Sequence, residues 1–86
     1  MARPSMDYAD AKGRHLRRVV DYLRDRHRLE PDRRGAFPLI DVRRMLHYSG
    51  AAVFLEPIIG ELKLEEKVQV FGRGSEQIVY LVGGKW

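Results

Sequence analysis

The sequence predicts an α+β domain: three helices, one short strand and a C-terminal β-hairpin, in the order helix-strand-helix-helix-strand-strand. Apolar residues recur at helical spacing in three separate segments before Lys67. From Lys67 onward the chain changes character, to the β-branched and aromatic runs KVQVF and QIVYLV. Between those runs GRGSE supplies two glycines for a hairpin loop.

The first helix is predicted from Asp7 or Asp10, either of which can cap it, to Arg28. Leu16, Val19, Val20 and Leu23 fall at i, i+3, i+4 and i+7, and His27 continues the stripe one turn on. Arg14, Arg17, Asp21, Arg24, Asp25 and Arg28 take the other face, with Arg17 and Asp21 placed for an i,i+4 pair. Pro31 stops this helix and PDRRG reads as a turn. Ala36 to Leu39 can form a strand, confined by Pro38 to a sheet edge. Asp41 is placed to cap a second helix from Val42 to about Tyr48, with Val42, Met45 and Leu46 inward. Ser49 and Gly50 break the chain. A third helix is predicted from Ala51 or Ala52 to about Glu65, with Leu55, Ile58, Ile59 and Leu62 inward. Pro57 inside that span offers two outcomes. The helix is kinked there, or it begins there as a first-turn proline with Ser49 to Phe54 forming a shorter preceding turn.

Eighty-six residues make one domain, 1–86, with MARPSM, residues 1–6, expected to be a loose terminus. The N-terminal segment has no apolar run, so no signal peptide is expected. No stretch approaches the roughly 20 apolar residues needed to span a bilayer. With no cysteine there is no disulfide framework or thiolate metal site, and an intracellular, cytoplasmic location is the expectation. The net charge is +4, unevenly spread. Residues 1–48 hold 12 basic and 7 acidic side chains; residues 49–86 hold 4 and 5. A basic half points to an anionic partner such as nucleic acid, while seven interleaved acids equally fit a solvated arginine-rich helix face.

The element order, with Ile59, Leu62 and Val68 running into a hairpin that ends Tyr80-Leu81, resembles a winged helix over about residues 10–83. Phe37 ahead of the second helix and the closing Tyr80-Leu81-Val82-Gly83 are also similar to the dissimilatory sulfite reductase D family of short stand-alone winged helices. The resemblance implies that the third helix would enter a DNA major groove and the wing would touch the backbone. The residues themselves argue against base reading by that helix. Its outward line is Val53, Glu56, Pro57, Gly60 and Lys63; of these only Lys63 suits DNA, and Glu56 with Glu61 repels phosphates. Phosphate contact is expected instead from Arg43 and Arg44 early in the second helix, from Lys63, and from Arg73 in the hairpin loop. The apolar Val53, Phe54 and Pro57 suggest a protein interface, either a homodimer face or a dock for a partner.

Chemistry is not expected. His15, His27 and His47 are scattered, and no pair has zinc-ligand spacing. Gly72-Arg73-Gly74-Ser75 superficially resembles a phosphate-binding loop, but it lacks the lysine and joins two strands. No metal, cofactor or small-molecule ligand is expected. Tyr80 and Trp86 lie near basic residues and could stack on unpaired bases; a terminal tryptophan also serves as a lid on a core edge. The sequence therefore leaves two readings: a non-enzymatic nucleic-acid-binding module, of the kind a dimeric transcriptional regulator uses, or an adaptor docking on a partner protein through the third helix and wing.

Overall fold

The computed structural model of the chain describes residues 4–84 and 86. Three α-helices pack on one face of a three-stranded antiparallel sheet. The elements are α1 (Pro4–Leu29), β1 (Ala36–Pro38), α2 (Leu39–Tyr48), α3 (Leu55–Leu64), β2 (Val68–Phe71) and β3 (Ile78–Leu81). Single 3-10 turns at Pro31–Arg33, Ala52–Phe54 and Gly74–Glu76 interrupt that order; of these the residue pattern offers only the second as a short turn of helix, within Ser49 to Phe54. No helix among the described residues is long and apolar enough to cross a membrane.

α1 buries the stripe that the spacing predicts. Val19 and Leu23 are fully buried, and Leu16 and Val20 pack at the margin. The helix begins earlier than Asp7 or Asp10. Pro4 occupies its first turn, where proline's fixed φ suits a helix and its missing N–H leaves no bond unmade, so residues 4–6 are helical. The remainder of the expected loose terminus lies outside the described residues. Asp7 then sits in the first turn, facing the positive end of the helix dipole. On the solvent face the expected Arg17–Asp21 pair is replaced. Asp21 pairs with Arg24 at 3.7 Å, Asp10 with Arg14 at 3.5 Å and Asp25 with Arg28 at 3.6 Å. In all three the acid precedes the base, the orientation the helix dipole favours; Arg17–Asp21 has it reversed. These exposed pairs contribute only a few tenths of a kcal/mol each, against roughly 1.5–3 kcal/mol for each fully buried aliphatic side chain. The apolar stripe, not the charge pattern, holds α1 in place.

α2 starts at Leu39, so Asp41 is not its cap. Pro38 precedes the helix in an extended conformation (ψ 130°), and Asp41 falls in the first turn, where Arg26 of α1 donates to it at 2.6 Å. Val42 and Leu46 are buried and Met45 packs beside them. Gly50, in the left-handed conformation at φ 68°, ends the helix and lets the Ala51 N–H reach back to the Leu46 carbonyl at 2.8 Å. α3 follows after the 3-10 turn. It starts two residues before Pro57, which therefore lies in the first turn, where no intrahelical N–H partner is required. The kinked-helix outcome does not occur, and Ala52–Phe54 supplies the preceding short turn. Ile58, Ile59 and Leu62 are buried and Leu55 is half-buried.

The sheet order is β1-β3-β2, which leaves β1, with Pro38, on an edge. Val68, Val70, Val79, Leu81 and Phe37 share the inner face with the helices. Phe37 is the largest fully buried side chain. Above its ring, with 5.0 Å from guanidinium carbon to ring centroid, lies Arg26. That guanidinium donates to both Glu30 oxygens (2.8 and 3.3 Å), to Asp41 (2.6 Å) and to the Tyr22 hydroxyl (3.1 Å). Glu30 also accepts from Arg33 at 2.7 Å.

The hydrogen bonds from Arg26, then those from Arg33, hold the Glu30 carboxyl well down, from 4.5 to about 2. The folded value lies below the ordinary one, so this carboxylate contributes stability above about pH 4.5 that is lost as pH falls toward about 2. Acid titration of the folded fraction should show Glu30→Gln with a shallower loss across that window than the parent chain. Arg26→Ala should lower stability by about 2 kcal/mol, measured by urea denaturation at neutral pH, because it strips donors from two carboxylates and a cation from the Phe37 ring.

Candidate nucleic-acid interface

The cations separate into two populations. On and beside α1, Lys12, Arg14, Arg24, Arg26, Arg28 and Arg33 each pair with a carboxylate. Arg43, Arg44, Lys63 and Arg73 form no ion pair among the described residues, and all four are exposed; Arg17, Arg18 and Arg34, on α1 and the turn after it, are likewise exposed and unpaired. Helix geometry favours the pairs on α1. α1 alternates acids and bases three and four residues apart, whereas the outward face of α2 past its first turn holds Arg43, Arg44 and His47 with no acid.

Two of these unpaired cations, Arg43 and Lys63, line one cleft, and Arg73 lies beside it. It has a volume of about 510 Å³ and lies between the start of α2, the outer side of α3 and the hairpin loop. Arg43 and Lys63 line it from opposite helices, and Leu39, Leu55 and Ile59 contribute an apolar floor. Gly74 and Ser75, directly after Arg73, close the third side. Arg44 faces away, into a neighbouring groove that it shares with Arg43, His47 and Tyr48. His47 and Tyr48 were not singled out as contacts from sequence. Tyr48 is 90% exposed at the end of α2, and its only signal was an aromatic residue that the inward stripe left unused.

Acids modify this surface less than the sequence suggested. Glu61 does not face a partner anion freely: Lys12 of α1 bridges to it at 2.7 Å, tying α1 to α3. The same hydrogen bond holds the Lys12 ammonium above its ordinary value. Glu56 remains on the cleft wall.

The apolar trio of the protein-interface reading is not one surface. Val53 is 73% exposed, but Phe54 turns inward. Its ring lies 5.2 Å from Tyr8 and 5.4 Å from His15, so it joins α1 to the turn before α3. Pro57 is half-buried and lines a shallow groove with Lys12 and Leu64. The periodicity of α3 had been extended back through Phe54, whereas a 3-10 turn there rotates the side chain onto the core. Trp86 also faces the body of the domain. It packs against the core margin, and its indole N–H donates to the Lys67 carbonyl at 3.0 Å.

Among the described residues, no three His, Asp or Glu side chains gather to hold a metal ion. The hairpin loop is fixed by backbone geometry. Gly72 adopts φ 97°, and a Cβ there would stand 2.8 Å from the Glu76 carbonyl oxygen. Gly72→Ala should therefore displace the loop that carries Arg73 and cost more than ~1 kcal/mol in thermal or urea unfolding, while Gly74→Ala, whose Cβ would meet nothing within 4 Å, should cost less. In comparisons with known proteins, the chain matched no protein-family model, no curated protein and no solved structure.

Proposed function

We propose that this chain is a non-enzymatic winged-helix module that binds nucleic acid through phosphate contacts, as a DNA-bound transcriptional regulator would. The winged-helix assignment is supported by the three helices, by the hairpin after α3 and by the β1-β3-β2 order that encloses β3. The functional reading is carried by a single observation: Arg43 and Lys63, neither of them in an ion pair among the described residues, line one cleft from α2 and α3, with Arg73 beside it in the hairpin loop and Arg44 in the neighbouring groove. Phosphates need donors and positive charge, which these side chains offer without first breaking an ion pair. Base reading by α3 finds little support. Past its first turn its exposed residues are Lys63 and Leu64, and neither offers the paired donor and acceptor that discriminate bases.

Docking of a partner protein, or of a second copy, through α3 and the wing is the competing reading. With Phe54 turned inward, it rests on Val53 and on the 86% exposed Leu64. If it holds, Val53→Asp with Leu64→Asp should abolish self-association or partner binding and leave nucleic-acid affinity unchanged.

Labelled duplex DNA should bind at low salt, with an affinity that falls steeply as salt rises; four phosphate contacts correspond to a log–log slope of about −3.6. Arg43→Ala, Arg44→Ala and Arg73→Ala together should reduce the magnitude of that slope by about 3 and spare the circular dichroism spectrum. Absence of duplex binding at low salt would sink the reading.

A further inference from the structure

We propose that the outer face of the sheet is a stacking platform for the unpaired bases of single-stranded nucleic acid. Phe71 and Tyr80 would supply the stacking rings, and Arg34 a phosphate contact at the platform's edge. The proposal rests on the nucleic-acid reading above and extends it to a second surface and a defined class of ligand.

Strand register places Gln69 opposite Tyr80, Phe71 opposite Ile78, Ala36 opposite Tyr80 and Pro38 opposite Ile78. Directly opposed residues point to the same side of a sheet, so these six share one face, the one turned away from the helices. None of the six is charged. Phe71 is 57% and Tyr80 39% exposed, and neither packs on the core. Their rings meet edge to face, with centroids 5.4 Å apart at 76°, which fixes both side chains and lowers the entropy lost when a base settles on them.

Charge and area select the occupant. Arg34 lies two residues before Ala36, at the Tyr80 end of the face, and Arg73 lies two residues beyond Phe71, at the other end. Neither forms an ion pair among the described residues, so the apolar strip is bounded by a free cation at each end. Arg34 is also held in the left-handed conformation at φ 55°, a strained choice for a residue that has a Cβ. The two rings expose on the order of 100 Å² each, far less than the roughly 800 Å² per partner that a stable dimer buries. That area matches one or two bases. Duplex DNA keeps its base faces stacked on one another, so the platform takes unpaired strands.

The test is fluorescence anisotropy of labelled short oligothymidylate, of an abasic strand of the same length and of duplex DNA, all at low salt. Phe71→Leu with Tyr80→Leu keeps apolar bulk and removes the rings. It should weaken oligothymidylate binding roughly tenfold or more and leave duplex binding unchanged, while Phe71→Trp with Tyr80→Trp should preserve binding. The abasic strand should bind the parent chain more weakly by a similar factor. Arg34→Asn, which tolerates the left-handed backbone, should lower the salt slope for the single strand by about 0.7. The platform is overturned if the leucine variant or the abasic strand binds as tightly as the parent pair. It is also overturned if sedimentation shows a dimer of the parent chain that the leucine variant loses. Duplex binding that responds to Arg43→Ala and Arg44→Ala alongside an unaffected leucine variant removes the platform alone. No binding of either strand form removes the nucleic-acid reading and the platform together.

Discussion

The Arg26 guanidinium joins four parts of the chain at one point. It rises from the last turns of α1, donates to both carboxylate oxygens of Glu30 at the start of the following turn, donates to Asp41 in the first turn of α2, and covers the ring of Phe37 on β1. A planar, five-donor group is the only side chain that can make these contacts at once; lysine, a point charge on a flexible stem, could satisfy one or two of them. The contact sets the position of α2 on α1. With Asp41 held by Arg26, α2 begins at Leu39, its buried pair is Val42 and Leu46, and Arg43 and Arg44 are left pointing outward.

That arrangement governs the electrostatics of the whole surface. α1 and the turn after it hold most of their cations in ion pairs and leave Arg17, Arg18 and Arg34 unpaired and exposed, so the basic half of the sequence is only in part a basic half of the surface. Further uncompensated positive charge appears on α2, α3 and the hairpin loop, where neighbouring acids are few or, like Glu61, already engaged by α1. A phosphate backbone laid across these elements would meet free donors there, whereas over the paired face of α1 it would have to compete with carboxylates. The hairpin serves two surfaces at once. Its inner residues close the cleft, and its outer residues carry the exposed aromatic pair.

Much of the fold could be read from residue patterns because those patterns are local. The stripes Leu16–Leu23 and Leu55–Leu62 have a period set by helix geometry, and the β-branched runs after Lys67 have one set by the pleat. Element ends were less legible. Asp41 has the chemistry of a cap, yet a guanidinium 15 residues earlier claims its carboxylate. Pro57 could end or begin a turn, and its place depends on where the preceding 3-10 turn delivers the chain. The four phosphate-contact candidates were named from residue type and expected position. That Arg43 and Lys63 line one cleft depends on how α2 and α3 pack.

The sequence by itself determined which segments bury an apolar face, where the chain turns from helix to strand, and that β1 lies at an edge, because each follows from periodicity or from a proline that cannot donate a backbone hydrogen bond. Only the tertiary structure decided which charges are spent and which remain free, that Phe54 belongs to the interior, and that Phe71 and Tyr80 meet on one exposed face. Those properties belong to pairs of residues distant in the chain. A residue's type states what contact it can make, and only packing states whether a partner is within reach.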